Sequence, residues 1–469
     1  MLRSQKAIAG IVAAAAVILS WQLFFPPLVG MADQGDFIRI ANRFGYRAAD
    51  KSSEYGFLTR TFVPDPAARN RPYEQISSEY IFAEAAILLN KVLSKDGNLD
   101  ITIMGLVHML AFLYAFYRVL LATRPHRAGP LTWIPVIWIL ALLVLTDAGY
   151  AAYWNSFYTE PASCIFFLLL LAESIAICRS PEISGAQTVR WTLWAILFVM
   201  AKAQNAPLGI LLAVFALRLR AWNKSARASR IAIASSLLIA AATAINIMTI
   251  PVNFKWPNAY NNVFLAILPE SKDPARDAQA LGLSPYWLKY SGSGAWVAGS
   301  GYGDAVRGGV IGKTITPASV LRFYALRPAR LWRHAKRILP VAFSLRPEWG
   351  NLERSAGLPP YAKSQAFSLW SGFHEHGLAA CGKFILLALL ICPVVCAVAW
   401  SRAAREARRS IELFGLLGIC CLLSFVIAIC GDAWDNVKHL FLFNLLLDTW
   451  MVTLVAFLFQ SVRKVLHGI

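Results

Sequence analysis

The sequence predicts an all-α integral membrane protein: one bundle of about ten transmembrane helices, with juxtamembrane helices and loops on its outer face. Three observations lead there. The 469 residues are 57% hydrophobic and only 15% charged, whereas about a quarter of the residues of a soluble chain are charged. The apolar residues gather in runs long enough to enter or cross a bilayer. The basic residues gather between those runs, so the formal charge of +19 reports orientation in the membrane, and nucleic acid is not an expected partner.

The runs fall near 7–26, 101–122, 131–147, 161–178, 191–203, 206–217, 230–252, 381–400, 411–430 and 440–460. The first has a basic start, so a cleaved secretory signal competes with a retained helix. Its length and its ending in Trp21, Phe24, Phe25 and a proline pair favour a retained anchor. The runs 191–203 and 206–217 are short and meet at AKAQNAP, which predicts a hairpin of half-length helices. Arg118, Arg124, Arg127, Arg179, Arg190, Arg218, Arg220, Lys224, Arg227, Arg230, Arg402, Arg405, Arg408 and Arg409 fall on one side of the runs, predicted to be cytoplasmic. The loops 27–100, 147–160, 253–380 and 431–439 then face outward, in a single polytopic domain covering 1–469. The eight cysteines lie mostly in apolar runs without a CxxC pair and read as packing residues.

The first outer loop contains SSEYIFAEAAILLNKVL at 77–93, read as a surface helix with Ser77 or Ser78 as cap and Glu79 in the first turn. The large loop 253–380 combines the Gly/Ser-rich SGSGAWVAGSGYGD with RPARLWRHAKRIL, a basic amphipathic segment suited to the interface.

Chemistry would sit in these outer loops. MADQGDFIRIANRFGY places Asp33 and Asp36 three residues apart, on one face if a helix begins there. Such a pair serves either to deprotonate a hydroxyl or simply to cap the helix and complement its dipole. Arg39 and Arg43 follow at roughly helical spacing and are candidates for a phosphate contact, with lipid headgroups as the favoured partners. TDAGYAAYWNSFYTEPAS brings Asp147, Asn155 and Glu160 between two spans, with Glu160 just before a proline that begins a helix. Its aromatics, Tyr150, Tyr153, Trp154, Phe157 and Tyr158, suit an interfacial belt or the stacking of sugar rings. Lys202, Gln204 and Asn205 form a polar cluster at membrane depth, costly unless it faces a cavity or partner. GDAWDNVKHLFLFN sets Asp432, Asp435, Lys438 and His439 at the start of the last span, within reach of a headgroup phosphate. The alternative for Lys438 is surface snorkelling, and a divalent metal on Asp432, Asp435 and His439 has only unspecific spacing behind it. No cofactor is expected.

The D-Q-G-D-F after the first span, the F-Y-T-E-P after the third, the G-D-x-x-D-x-x-K-H-L-F-x-F-N before the last, and NNVFLAILPESKDPARDAQALGLSP at 261–285 together resemble GT-C membrane glycosyltransferases. More closely, the chain resembles the hexose transferases of bacterial surface-glycan assembly. The resemblance implies a GT-C-like bundle in the bacterial cytoplasmic membrane, with its active site on the periplasmic or exterior side. It also implies a sugar donor on a polyprenyl phosphate, a glycan or lipid acceptor hydroxyl, and inversion at the anomeric carbon. The acidic residue of the family's first loop maps onto Asp36 or Asp33, with GDF favouring Asp36. In this scheme Asp36 is the base, Glu160 orients acceptor or sugar, and Lys438, His439 and Lys202 hold the donor phosphate; Gln204, Asn205, Asp432, Asp435 and Tyr158 complete the substrate site. A phosphate leaving group needs little protonation, so one carboxylate and several cations suffice. A flippase of lipid-linked saccharides would share the spans and the cations without needing the base. A glycan polymerase or ligase would use a pyrophosphate donor, for which Arg322, Arg327, Arg330, Arg333 and Arg337 are candidates. A structural scaffold leaves the loop carboxylates unexplained.

Overall fold

The computed structural model describes residues 2–70, 76–94, 96–124, 134–222 and 225–467; Arg127, Lys224 and the start of the run at 131 lie outside them. Every apolar run has its helix: Leu2–Phe24, Ile101–Thr123, Ile134–Leu145, Glu160–Arg179, Gly185–Ala201, Leu208–Trp222, Ala226–Met248, Ala379–Arg402, Arg405–Gly431 and Phe441–His467. Seven helices among the described residues are long and apolar enough to cross a membrane. The remaining three are shorter. Gly185–Ala201 and Leu208–Trp222, of 17 and 15 residues, span only about 22–26 Å at 1.5 Å per residue, against a hydrocarbon core of about 30 Å. The hairpin is present, closed by the 3₁₀ turn Ala203–Asn205, but its helices reach across most of the core thickness and are not half-length.

The Glu160–Arg179 helix forms the centre of the bundle. It is buried over 83% of its apolar window, against 17% for the outermost span, Leu369–Arg402. It packs on Ile101–Thr123 on one side and Gly185–Ala201 on the other, while Ala226–Met248 backs the short hairpin. The first helix, with Ala15, Leu19 and Leu23 fully buried, is a packed member of the bundle. Ser184 closes a reciprocal capping box with Gln187, satisfying two backbone donors at the start of its helix. At the end opposite the large loops, several of the basic residues act as fasteners. Arg118 and Arg190 converge on Glu173, Arg218 pairs with Glu412 at 2.7 Å, and Arg179 and Arg409 donate to the carbonyls of Ala122 and Ser180, both at 2.6 Å.

The outer loops fold over the other end as a cap with two features that periodicity did not announce. Strands β1 (Tyr46–Ala48), β2 (Thr61–Pro64) and β3 (Leu99–Asp100) form a small antiparallel sheet in that order, with Tyr46 opposite Pro64 and Phe62 opposite Leu99. Asp100 then caps the next membrane helix through Thr102 N at 2.9 Å. A second apolar core, separate from that of the bundle, runs from Ala259 to Tyr324 in the large loop.

The helix expected at 77–93 is Tyr80–Leu93, entered through Glu79 without a side-chain cap. Ser77 and Ser78 instead donate to the carbonyls of Ala201 and Leu197, tying the cap to the short hairpin. Glu79 is fully buried. One of its oxygens accepts from Ala162 N at 3.0 Å and the other meets His108 Nε2 at 2.6 Å. A side chain from the cap thereby satisfies the start of the Glu160–Arg179 helix.

Candidate active site

Three of the loops predicted to face outward, 27–100, 253–380 and 431–439, converge with the hairpin turn at 202–204 on a cavity of about 800 Å³ at that end of the bundle, within the range of ligand pockets. Ile427 and Ala428, from the last turns of one membrane helix, together with Ile250 and Phe254, make its apolar side; Asp36, Arg39, Lys202, Gln204, Lys255, Asp432, Asp435, Lys438 and His439 supply its polar groups.

Asp33 and Asp36 are not on a helix. They lie in a tight turn that precedes the Ile38–Phe44 helix. Gly35 has φ +98°, a conformation that suits a residue without Cβ. Asp33 Oδ1 accepts from Gly35 N at 2.8 Å and Phe37 N at 3.1 Å, so Asp33 is the brace of the turn and lies behind the cavity wall. The turn is fixed from below by Tyr158, whose hydroxyl donates to Ala32 O at 2.8 Å and accepts from Gln34 N at 3.1 Å.

Asp36 is thereby aimed into the cavity. It accepts from Gln34 Nε2 at 2.8 Å, pairs with Arg39 at 2.6 Å and forms an ion pair with Lys438. Lys438 is buried, lies over the Tyr158 ring at 4.9 Å and has Asp435 at 4.0 Å. Burial would raise the Asp36 carboxyl, but Arg39 and Lys438 outweigh it and hold the group well below the usual carboxylate range. Burial would equally lower Lys438, and Asp36, Asp435 and Glu160 outweigh that, holding the ammonium above its ordinary range. Asp36 is an ionised carboxylate clamped between two cations.

Asp33 behaves in the opposite way, because burial dominates and pushes it up from 3.8 to about 6. Folding therefore favours its protonated form, and keeping it ionised costs stability above pH 6, a cost that fades as the pH falls through 6 toward 4. The shift corresponds to on the order of 3 kcal/mol. Asp33→Asn preserves the acceptor for Gly35 and Phe37 and removes the charge. Thermal unfolding of this variant in detergent should show a melting temperature at pH 7.5 no lower than wild type, with a flatter dependence between pH 4 and 6. A large destabilisation at pH 7.5 would show that the charged carboxylate is needed there.

The remaining expected residues divide between cavity wall and support. Lys202 lines the cavity and pairs at 2.7 Å with Glu160, which lies behind it in the first turn of the central helix. Gln204 also lines it and donates to His439 O at 2.6 Å, stitching the hairpin turn to the last outer loop. Asp432 accepts from Asn261 at 2.9 Å and lies 3.5 Å from His439; Asp435 accepts from Trp349 Nε1 at 3.2 Å. Among the described residues no three His, Cys, Asp or Glu side chains are grouped to hold a metal ion.

Several expectations are corrected. Asn205 is fully buried and donates to Ser163 Oγ and Phe198 O, so it holds the hairpin turn and does not face the cavity. Tyr150, Tyr153, Trp154, Phe157 and Tyr158 are all buried, because this segment threads through the core; they form neither an interfacial belt nor an open stacking surface, and Tyr158 braces the Asp36 turn. Arg39, expected among headgroups, turns inward over Phe254 at 3.9 Å. Arg330 and Arg337 pair with Asp277 and Glu270, Arg333 donates to Glu270 O, and Arg327 lies over Phe323. These four knit the second core together and do not line the cavity.

The sequence reading also missed Lys255, which makes no ion pair among the described residues, and the cavity aromatics Tyr55, Trp296, Trp349, Tyr361 and Trp434. They are single residues scattered over loops, without a shared spacing that would have drawn attention to them.

The family description "YfdI N-terminal transmembrane domain" matches residues 2–467. The chain belongs to this family. It is a GT-C-like family, and the chain is a multi-pass membrane protein. No curated protein matches it. Among solved structures, it is similar to the archaeal oligosaccharyltransferase AglB from Archaeoglobus fulgidus, in complex with an inhibitory peptide and a dolichol-phosphate, at 11% identity and a TM-score of 0.40. That alignment covers 98% of this chain and 51% of the other, so the chain spans about half the length of that protein.

Proposed function

We propose that this chain transfers a sugar from a polyprenyl-phosphate-linked donor to a hydroxyl of a cell-surface glycan or lipid acceptor, at the outer face of the bacterial cytoplasmic membrane and with inversion. The observation that carries the reading is the convergence of one ionised carboxylate, Asp36, with Arg39, Lys438 and Lys202 in a cavity whose apolar side is made by the ends of membrane helices. A lipid-borne phosphate and a hydroxyl nucleophile need those groups and that depth.

In this reaction the acceptor oxygen attacks the anomeric carbon from the face opposite the phosphate. The bond from that carbon to the phosphate oxygen breaks, and its electron pair leaves with the polyprenyl phosphate. The acceptor proton passes to Asp36. Lys438, Arg39, Lys202 and Lys255 take up the charge on the departing phosphate, and Glu160 holds Lys202 in place. Before donor binds, Asp36 pairs with both Lys438 and Arg39. A donor phosphate competes for the same two cations, loosens their hold on the carboxylate and raises its basicity, so the base strengthens when the donor is in place.

Proteoliposomes containing the full chain and a polyprenyl-phosphate hexose fraction from membranes test the reading. The expected result is release of polyprenyl phosphate in proportion to glycosylated product. Movement of intact donor between leaflets with its sugar still attached would sink the transferase reading in favour of a flippase; turnover of a polyprenyl-pyrophosphate-linked glycan supplied in place of that fraction, with release of polyprenyl pyrophosphate, would place the chain with polymerases and ligases.

A further inference from the structure

Two aromatic side chains on the cavity wall stand on backbone that is unusually constrained. Tyr55 and Tyr361 have φ of +65° and +66°, a left-handed conformation that non-glycine residues adopt rarely and that persists only where the surroundings impose it. The surroundings here are two loops bound backbone to backbone. Gly350 N donates to Tyr55 O at 3.0 Å, Tyr361 N to Gly56 O at 2.9 Å and Leu58 N to Leu352 O at 2.9 Å. A Cβ on Gly350 would collide with the Gly56 backbone, so the approach is as close as two chains allow. Tyr55 N also donates to Asp33 O at 2.9 Å, which ties the wall to the turn that carries Asp36.

The strain keeps apolar rings in the open. Tyr55 and Tyr361 remain 41% and 52% exposed, although burying an aromatic ring is among the largest gains available to a loop. Trp349 stands 5.5 Å from Tyr55 with the ring planes at 53°, forming a corner, and its indole N–H is held by Asp435. Open aromatic faces set beside the carboxylates Asp36 and Asp435 match a pyranose: its C–H faces pack on rings while its hydroxyls donate to carboxylates. A polyprenyl chain would use the rings but has nothing to donate to the carboxylates, and it has the Ile250, Phe254 and Ile427 side of the cavity instead.

We propose that Tyr55, Trp349 and Tyr361 form the acceptor subsite of the cavity, on which a pyranose ring of a saccharide acceptor stacks with its nucleophilic hydroxyl toward Asp36. The assignment rests on the transferase reading for its role and on ring geometry for its ligand. Saturation-transfer NMR on the full chain in nanodiscs tests the ligand, with methyl α- and β-glycosides of glucose, galactose, mannose and N-acetylglucosamine as probes. At least one should receive saturation in its ring protons from wild type. Tyr55→Gly and Tyr361→Gly remove the rings while suiting the positive φ, so loss of signal in them does not come from added strain; Trp349→Ala should lose it too, Trp349→Phe should keep most of it, and Tyr286→Ala, an exposed ring outside the cavity, should be unaffected.

Absence of signal in wild type, or its persistence in both glycine variants, overturns the subsite. Its role is read separately from donor turnover, using the polyprenyl-phosphate hexose fraction. In the glycine variants transfer to the glycan should fall at least about tenfold, the size of roughly one lost stacking contact, and should fall further than hydrolysis of the donor to water. If donor hydrolysis falls equally, the rings hold the donor's sugar and the acceptor assignment is wrong. If wild type turns over no donor while glycoside binding depends on the rings, the transferase reading fails and the saccharide site stands.

Discussion

Asp36→Asn should reduce sugar transfer by about 10²- to 10⁴-fold, the usual contribution of a positioned general base, equivalent to about 3–5 kcal/mol in the barrier. The amide keeps the shape of the carboxylate and can still accept from Gln34 or Arg39, so the turn braced by Asp33 and Tyr158 should hold. Donor affinity should move the other way. Asp36 competes with the donor phosphate for Lys438 and Arg39, so removing its charge releases both cations to the lipid and lowers the donor KM several-fold, a loss of kcat combined with tighter binding that a folding defect would not produce. Steady-state transfer in proteoliposomes, with donor concentration varied, reads both quantities. Undiminished transfer would show that another group takes the proton; a raised donor KM would show that Asp36 does not share its cations with the phosphate. Asp33→Asn is the matched control, since Asp33 lies two hydrogen bonds into the backbone and outside the cavity.

Lys438→Gln should have the second largest effect. Lys438 is a buried cation that links Asp36, Asp435 and the donor side of the cavity, and loss of one such charge-stabilising group costs about 10²–10³-fold in rate. Here the donor KM should rise as kcat falls. The pH profile adds a readout that a purely structural role would not move. In wild type Arg39 and Lys438 hold Asp36 of the donor-free protein far below the ordinary carboxylate range, so its protonation adds no acid limb to kcat/KM above pH 4. Without Lys438 the carboxyl shifts upward and the acid limb of kcat/KM moves up with it. The same linkage acts on stability: a depressed Asp36 stabilises the fold above its unfolded value near 4, and that contribution is lost as the pH falls toward the folded value. Arg39 remains at 2.6 Å, so the variant does not bury an unpaired charge, and a melting curve in detergent checks that the bundle is intact. A loss of less than about threefold in transfer, far below the expected range, would remove Lys438 from the phosphate site.

Much of the bundle was legible because a bilayer imposes a simple pattern. The run at 101–122 became Ile101–Thr123 and the run at 161–178 became Glu160–Arg179, since apolar length alone determines what can cross hydrocarbon. The outer loops obey no such rule. The same apolar residues that suggested a surface belt at Tyr150–Tyr158 turned out to be core, because that segment passes under the cap, and a ring of Trp or Tyr reads identically in either place. Arg39 and Arg330 also read alike as loop arginines, yet one faces Asp36 and the other Asp277.

What the sequence by itself determined was the environment of each segment: which stretches meet lipid, which short loops carry the basic charge, and which carboxylates and cations lie at the helix ends opposite those loops. What only the tertiary structure decided was which of those groups meet. Asp36 and Lys438 are separated by 402 positions, and neither periodicity nor charge pattern encodes a contact across that distance. The difference between Asp33 and Asp36 is equally tertiary. Both are aspartates in one five-residue motif, but the turn points one into backbone N–H groups and burial, and the other toward two cations, so the fold makes the first a brace and the second an ionised carboxylate in a cavity.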